Sequence, residues 1–278
     1  MRHWGRGMDA IEASVQSEVL NFLDVLHREH NGVAVNPASL INCAVSNVIC
    51  SMIMTKRFDH KDPQFKRFMQ LFDEGFRLFT LTGAMIFLPF LKHLPGVASA
   101  CKQLRANREE MMGFVRGVIA DHRAALDPEN PKDLVDAYLI EIDAASKRKA
   151  ENGEDNKDIF HGFDAETQME QVVLDLFSAG VETLKTSLLW AIVYMLHNPE
   201  VMEKVQQELD AVVGAERLPT LEDMNNLPYT RATLYEIMRR SSVVPMGTTH
   251  ATDRYILFNI FLHFLRCCCQ VSLVSMLG

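Results

Sequence analysis

The stretch "DLFSAGVETLKTSLLW", residues 175–190, lies in the longest apolar part of the chain. We predict one helix over residues 164–197, about 50 Å long at 1.5 Å per residue, with an aspartate as its N-cap. Asp175, Glu182 and Lys185 fall within it, and each would cost a few kcal/mol at the centre of a bilayer. We therefore expect a helix buried on all sides inside a large helical domain rather than a membrane span.

Gly180, at the centre of this helix, needs a physical reason, because glycine in a helix interior costs about 1 kcal/mol relative to alanine. One reason is a close helix crossing, in which the missing side chain lets another backbone approach. The other is a flat cofactor or ligand lying against the helix, for which Ala179 and Gly180 make room. Glu182 and Thr183 have a structural alternative of their own, in which the threonine bonds to a carbonyl of the preceding turn and the glutamate pairs with a basic neighbour.

The remaining chain also has mainly helical periodicity, so the predicted fold class is mainly α. A break with two prolines at 87–96 and a charged loop at 147–158 interrupt the pattern. Asn36, Asn198 and Thr220 are predicted caps. The segment 243–250 is expected to be extended. The other predicted helices are 8–28, one beginning near Pro37, 64–82, 97–126, 131–148, 198–214 and 227–242.

Composition limits the function classes. Of the 278 residues, 48% are hydrophobic and 23% are charged, so a substantial core is possible. A net charge of −8 argues against general nucleic-acid binding, which favours basic surfaces. The six cysteines have no paired spacing, which indicates a reduced, cytosol-facing protein rather than a disulfide scaffold. The N-terminus has neither a signal peptide nor a membrane anchor and reads as the inside of a domain, so we expect a truncated chain.

A second motif follows in "LYEIMRR", where Glu236 and Arg239 share one helix face at a spacing of three. By itself this is an ordinary surface ion pair. The order "AGVET", "NPEV…VQQELDAVVG", "ExxR" and "VVPMGTTH", however, resembles the haem-thiolate monooxygenases, the cytochrome P-450 family. "FLPFLKHLPG" and "LDPENPKDLVDAYLIEI" are similar to its microsomal animal members. "DLFSAGVETLKTSLLW" with "MRRSSVVPMGTTHATD" is similar to arthropod hydroxylases of moulting steroids. The resemblance covers about residues 1–253.

The resemblance implies an incomplete cytochrome P-450 fold in which the long helix crosses the distal face of the haem. Ala179 and Gly180 would bind the cofactor, lying over the ring where oxygen binds. Glu182 and Thr183 would be the catalytic pair that delivers protons. Glu236 and Arg239 would form a buried, structural ion pair that supports the loop before the haem ligand.

Five further residues receive roles from the same resemblance. Val244 and Met246 would line the substrate cavity, and Leu176 and Phe177 are cavity-wall candidates, although most such residues are plain core. His250 would bond a haem propionate, whereas without the family it would be taken for a surface-loop histidine.

The match fails at the iron ligand. The family binds iron through the cysteine of an F-x-x-G-x-x-x-C-x-G loop, and no such pattern occurs in this sequence. Cys267, Cys268 and Cys269 lack the flanking phenylalanine and glycines, so we assign no metal ligand. We predict a partial cytochrome P-450 domain at 1–253 and a divergent apolar tail at 254–278. The tail is either a transcript or read-through product or a membrane-associating segment.

The resemblance implies a monooxygenase that hydroxylates a steroid or other lipophilic small molecule with O2. NADPH-cytochrome P-450 reductase would supply the electrons, at the cytosolic face of the endoplasmic reticulum membrane. This chain itself is expected to be inactive without the thiolate. The alternative is a non-catalytic helical product that binds a lipophile or competes for a partner of the full-length enzyme.

Overall fold

A computed structural model describes residues 7–30, 32–59, 61–86, 88–152 and 164–245. These residues form α-helices and short 3-10 segments, and no strand occurs among them. The mainly α prediction is therefore confirmed. The helices are α1 (Gly7–His30), α2 (Ala38–Met54), α3 (Pro63–Thr82), α4 (Pro95–Ala125), α5 (Leu134–Asn152), α6 (Ala165–His197), α7 (Pro199–Val212) and α8 (Pro228–Ser241).

The helix boundaries follow from capping residues and prolines. Asp164 accepts the amide of Thr167 at 2.9 Å and so caps α6, as predicted. Asn198 precedes α7 but does not cap it, because its side chain donates back to the Tyr194 carbonyl at 2.8 Å. Gly214, with φ +77°, lies just beyond the end of α7. Thr220 donates its backbone amide and its hydroxyl to Oδ2 of Asp223 at 2.8 and 2.9 Å, so only the aspartate half of the predicted capping box forms.

Two predicted boundaries shift. The break at 87–96 contains the 3-10 segment Pro89–His93 and ends where Pro95 begins α4. Helix α5 extends to Asn152, four residues further than expected, and residues 153–163 lie outside the described part of the chain. The charged loop is therefore helical at its start, because lysine, arginine, alanine and glutamate are all good helix formers.

The chain divides into two compact units, Met1–Glu182 and Thr183–Gly278. In the first unit, aromatic side chains of α3 and α6 form the centre of the core: Phe177 lies 5.1 Å from Phe68 and 4.9 Å from Phe72 between ring centroids. Phe65 and Val115 are also almost fully buried there. This contiguous apolar cluster supplies the main driving force for folding the unit.

Ion pairs extend this packing along α4. Arg67 of α3 makes two bonds of 2.8 Å to Glu110 of α4. Arg116 of α4 pairs with Glu170 of α6 at 3.0 Å. These side chains are largely exposed apart from Glu170, so each pair contributes little to stability and chiefly orients the helices.

In the second unit, Glu208 of α7 accepts the backbone amides of Tyr229 and Thr230 at 2.9 and 2.7 Å. This carboxylate therefore caps the N-terminus of α8, where the helix dipole favours a negative charge. None of the side chains of α7 is buried.

The expectation that α6 is buried on all sides is wrong. Its buried side chains all lie at or before Val181. Beyond that point large apolar side chains are exposed, with Leu188 at 47% and Leu196 at 69%. Among the described residues, the buried side chains of α6 therefore belong to its N-terminal part, and the C-terminal part contacts α7 and α8 through more exposed side chains. By length and composition alone α6 could cross a membrane, a property shared by core helices of soluble proteins.

Candidate functional site

Helix α6 has two different faces around the quoted stretch. Phe177 and Val181 are buried, at 1% and 4% exposure, and pack into the aromatic core of the first unit. Leu176 is 45% exposed, and Ala179 is exposed as well. Because residues three and four apart share a helix face, Leu176, Ala179 and Thr183 lie along one side of α6.

Gly180 faces α2, and this contact gives the glycine a structural reason. A Cβ atom at position 180 would lie 2.8 Å from Cδ1 and 3.2 Å from Cγ1 of Ile49. Ordinary carbon contacts are about 3.5–4.0 Å. The structure thus places a neighbouring helix against Gly180, but the approaching atoms belong to the side chain of Ile49 and not to a backbone, as the helix-crossing alternative had assumed. The crossing does not test the predicted cofactor role, which stays a prediction.

Glu182 and Thr183, the predicted acid–alcohol pair, lie at the boundary between the two compact units of the chain. Glu182 is half-buried and is the last residue of the first unit, whereas Thr183 is exposed and begins the second. The Ser187 hydroxyl donates to the Thr183 carbonyl at 2.8 Å, a back-bond one turn along the helix.

Glu236 and Arg239 form the predicted ion pair within α8. Arg239 donates from Nε and Nη2 to the two carboxylate oxygens, each at 2.7 Å. The Arg239 hydrogen bond lowers the pKa of Glu236 and, reciprocally, the pKa of Arg239 is raised. The expectation of burial is wrong for this pair as it stands, because the arginine and glutamate side chains are 66% and 53% exposed. Helix α8 presents this face to solvent in the described structure.

The last predicted residues lie near or beyond the end of the described chain. Val244 is 54% exposed, just after α8. Met246 and His250 lie outside the described residues, as do Cys267, Cys268 and Cys269. The roles proposed for them stay predictions.

The second unit also contains a cleft that the sequence analysis missed. It has a volume of about 290 Å³ and lies among α6, α7 and α8. Its walls include Tyr194, Tyr229 and Ile237, and Glu236 is at its edge. The Arg240 guanidinium lies 6.0 Å from the centre of the Tyr194 ring. Only the concentration of tyrosines near the ExxR motif could have indicated it.

Cys43 and Cys50 lie in surroundings that do not favour the iron ligand of a haem-thiolate centre, which must be a thiolate. Burial raises the pKa of Cys43 to about 11 and raises that of Cys50 further. This burial disfavours the thiolate form of both side chains. Ala179, the position predicted to lie beside a flat cofactor, is exposed in the described structure, and its cofactor role stays a prediction.

Known proteins share much of this amino-acid sequence. The sequence profile described as Cytochrome P450 matches residues 2–262. The chain is 46% identical over 259 residues to Cytochrome P450 18a1 of Drosophila melanogaster, covering 93% of this chain and 47% of that protein. Cytochrome P450 2B19 of Mus musculus is 35% identical, with 94% and 51% covered. Cytochrome P450 2U1 of Bos taurus is 33% identical, with 91% and 45% covered.

The chain spans about half the length of these relatives. The profile match nevertheless covers nearly all of it, including the "AGVET" and "ExxR" motifs. The helices described above are an incomplete form of the family's fold, and haem is the family's cofactor. The chain belongs to the cytochrome P450 family.

Proposed function

We propose that this chain is the distal portion of a haem monooxygenase that hydroxylates a lipophilic small molecule. The observation that carries the proposal is the family match over residues 2–262, together with the open face of α6 at the "AGVET" motif. The steroid class rests on the similarity of residues 175–190 to arthropod moulting-steroid hydroxylases. Electrons would come from NADPH-cytochrome P-450 reductase at the cytosolic face of the endoplasmic reticulum membrane.

We assign a different role to each residue of α6 according to its position along the helix. Ala179 has a small exposed side chain, so a flat macrocycle can approach the helix there. Leu176, one turn earlier on the same face, would contact the lipophilic substrate. When bound, the haem iron supplies the oxygen chemistry. Thr183 would hold a proton-donating hydroxyl over that face, and Glu182 would exchange protons with solvent, as positioned proton delivery requires.

The proposal assigns Glu236 and Arg239 a structural role. The two bonds of 2.7 Å hold the guanidinium on one side of α8. An arginine held in this way can offer its remaining donors to backbone carbonyls of a following segment. Val244, Met246 and His250 follow α8 directly in sequence, where the substrate wall and a propionate contact are proposed.

A chimera tests the catalytic assignment. Residues 1–253 of this chain would replace the matching part of the Drosophila relative, and steroid hydroxylation and O2 consumption would be measured. Thr183→Ala should leave the haem spectrum intact but lower product formation by roughly 10²–10⁴-fold, the usual contribution of positioned proton transfer. Thr186→Ala, one turn along the helix, is the matched control. Unchanged turnover in Thr183→Ala would contradict the role of the hydroxyl.

We further propose that the chain by itself does not form a thiolate-ligated haem. The support is that the F-x-x-G-x-x-x-C-x-G pattern does not occur in the sequence and that burial disfavours the thiolate form of Cys43 and Cys50. The purified chain, reconstituted with haem, reduced and exposed to carbon monoxide, should lack the difference peak of the family. Appearance of that peak would overturn this part of the proposal.

A second candidate is a non-catalytic helical protein that binds a lipophile or competes for the reductase. Exposed apolar side chains of α6 and α8 favour it, among them Trp190 at 40% and Tyr235 at 63%. The cleft of about 290 Å³ beside them is large enough for part of a small ligand. Saturable quenching of Trp190 fluorescence by a sterol, or capture of the reductase, would support it. If neither occurs and the chain aggregates, this candidate fails.

A further inference from the structure

A second cluster of polar residues lies far along the chain from the motifs above, where α4 ends and α5 begins. His122 comes from the last turn of α4, and Asp133 and Asp136 from the start of α5. One ligand atom from each lies within 4.8 Å of the others. The side chain of Asp133 is fully buried, that of His122 is 11% exposed, and Asp136 as a residue is 3% exposed.

The hydrogen bonds of His122 leave one contact unexplained for a neutral ring. Its Nδ1 lies 2.9 Å from the Val118 carbonyl oxygen, which can only accept, so Nδ1 carries a proton. Its Nε2 lies 2.8 Å from Oδ2 of Asp133, which also accepts when ionised. With one proton on the ring, two lone pairs would face each other. A second proton or a metal ion must therefore be shared there.

Each of the three side chains also forms a hydrogen bond with a backbone group, and these bonds fix its orientation. His122 is held by the Val118 carbonyl, the arrangement that metal-binding histidines commonly have. Oδ1 of Asp133 accepts the Asp136 amide at 3.0 Å, and Oδ2 of Asp136 accepts the Lys132 amide at 3.1 Å. One oxygen of each carboxylate is thus fixed, and the second oxygen of Asp133 is the one that faces Nε2 of His122.

The charges of the cluster do not balance. Two buried carboxylates share one histidine, so at most one positive charge faces two negative charges. In the described part of the first unit, no lysine or arginine side chain forms an ion pair with Asp133 or Asp136. A buried carboxylate without a cationic partner is costly. Capping of α5 explains the hydrogen bonds from backbone amides to Asp133 and Asp136, but it does not neutralise the second negative charge.

We infer that His122, Asp133 and Asp136 bind a divalent transition-metal ion of the Zn²⁺ class. One imidazole nitrogen and two carboxylate oxygens are ligands that Zn²⁺ and Co²⁺ accept. With bonds of about 2.0 Å, the 2.8 Å between Nε2 and Oδ2 corresponds to a ligand–metal–ligand angle of roughly 90°, suited to five or six ligands. An aspartate movement on the order of 1 Å closes the set, and water completes it.

Equilibrium dialysis of the untagged, metal-free chain against Zn²⁺ tests the site. We expect one Zn²⁺ ion to bind per chain. The ion should be released when the pH falls, because protonation of the ligands competes with metal binding. Asp136→Asn keeps an acceptor for the Lys132 amide but removes the charge, and His122→Gln removes the nitrogen ligand. Each should weaken binding at least about tenfold. Asp143→Asn, an exposed position on α5, is the matched control and should bind as the parent chain does.

A separate measurement keeps the test decisive if a variant fails to fold. X-ray absorption of the parent chain loaded with Co²⁺ should show one imidazole nitrogen among oxygen ligands. The inference is overturned if the parent chain binds no stoichiometric Zn²⁺, or if the folded His122→Gln and Asp136→Asn variants bind it unchanged. It is equally overturned if the Co²⁺ spectrum contains no histidine nitrogen, which would leave a second proton on His122 as the shared atom.

Discussion

Replacing Gly180 by alanine measures the helix crossing at the centre of the family motif. The added Cβ would lie 2.8 Å from Cδ1 of Ile49, about 1 Å inside ordinary contact. Overpacking of this kind costs about 1–3 kcal/mol, while alanine gains about 1 kcal/mol of helix propensity. We therefore expect Gly180→Ala to lower the free energy of unfolding by about 1 kcal/mol.

A double-mutant cycle with Ile49→Val separates the two contributions. Valine lacks the Cδ1 atom that makes the closest approach, so the added methyl group at 180 meets less resistance. Ile49→Val alone should cost about 0.5–1.5 kcal/mol. In that background Gly180→Ala should be neutral or stabilising, which gives a coupling energy of about 1–2 kcal/mol.

Urea unfolding followed by circular dichroism is the assay, and Gly117→Ala in α4 is the matched control. A Cβ at position 117 meets nothing within 4 Å, so the control should stabilise the chain by about 1 kcal/mol. If Gly180→Ala stabilises as much as the control, or if the coupling with Ile49 is below about 0.5 kcal/mol, the contact with Ile49 does not explain the glycine.

Three more substitutions test other parts of the structure. Asn47→Ala removes two bonds of 2.9 Å to the backbone N–H and C=O of Phe58 and should lower the free energy of unfolding by about 2–4 kcal/mol in urea. Phe177→Ala empties the aromatic core and should lower it by about 3–5 kcal/mol, measured in the same way. The hydrogen bond from Arg217 holds the pKa of Asp223 well below its usual value near 3.9, so its stabilising contribution is present above that pH and is lost as pH falls through the lowered pKa. Urea midpoints measured from pH 6 downwards should therefore fall less in Asp223→Asn than in the parent chain, and equal acid dependence would contradict the pairing.

Local signals predicted the helices well. Asp164 and Pro199 bracket α6, and the structure begins it at Ala165 and ends it at His197. Caps and prolines act within one turn of the chain, so their effect can be read without tertiary contacts. The end of α5 was less predictable, because a charged stretch of good helix formers has no local stop signal.

For the predicted site residues too, local features could be predicted from the sequence, whereas features that depend on tertiary contacts could not. The spacing of Glu236 and Arg239 was enough to predict their pairing, since three residues along a helix bring two side chains together. Their exposure could not be predicted, because it depends on what the rest of the chain places over α8. The cleft among Tyr194, Tyr229 and Ile237 likewise requires three helices to meet.

The helical class, the extent of α6 and membership of the cytochrome P450 family could all be predicted from the amino-acid sequence, because periodicity, caps and ordered motifs are local features of the chain. Only the tertiary structure decided that Gly180 packs against Ile49 and that His122 meets Asp133 and Asp136. Those contacts join segments far apart in sequence. Which side chains then meet depends on how whole helices pack, and no local pattern specifies that choice.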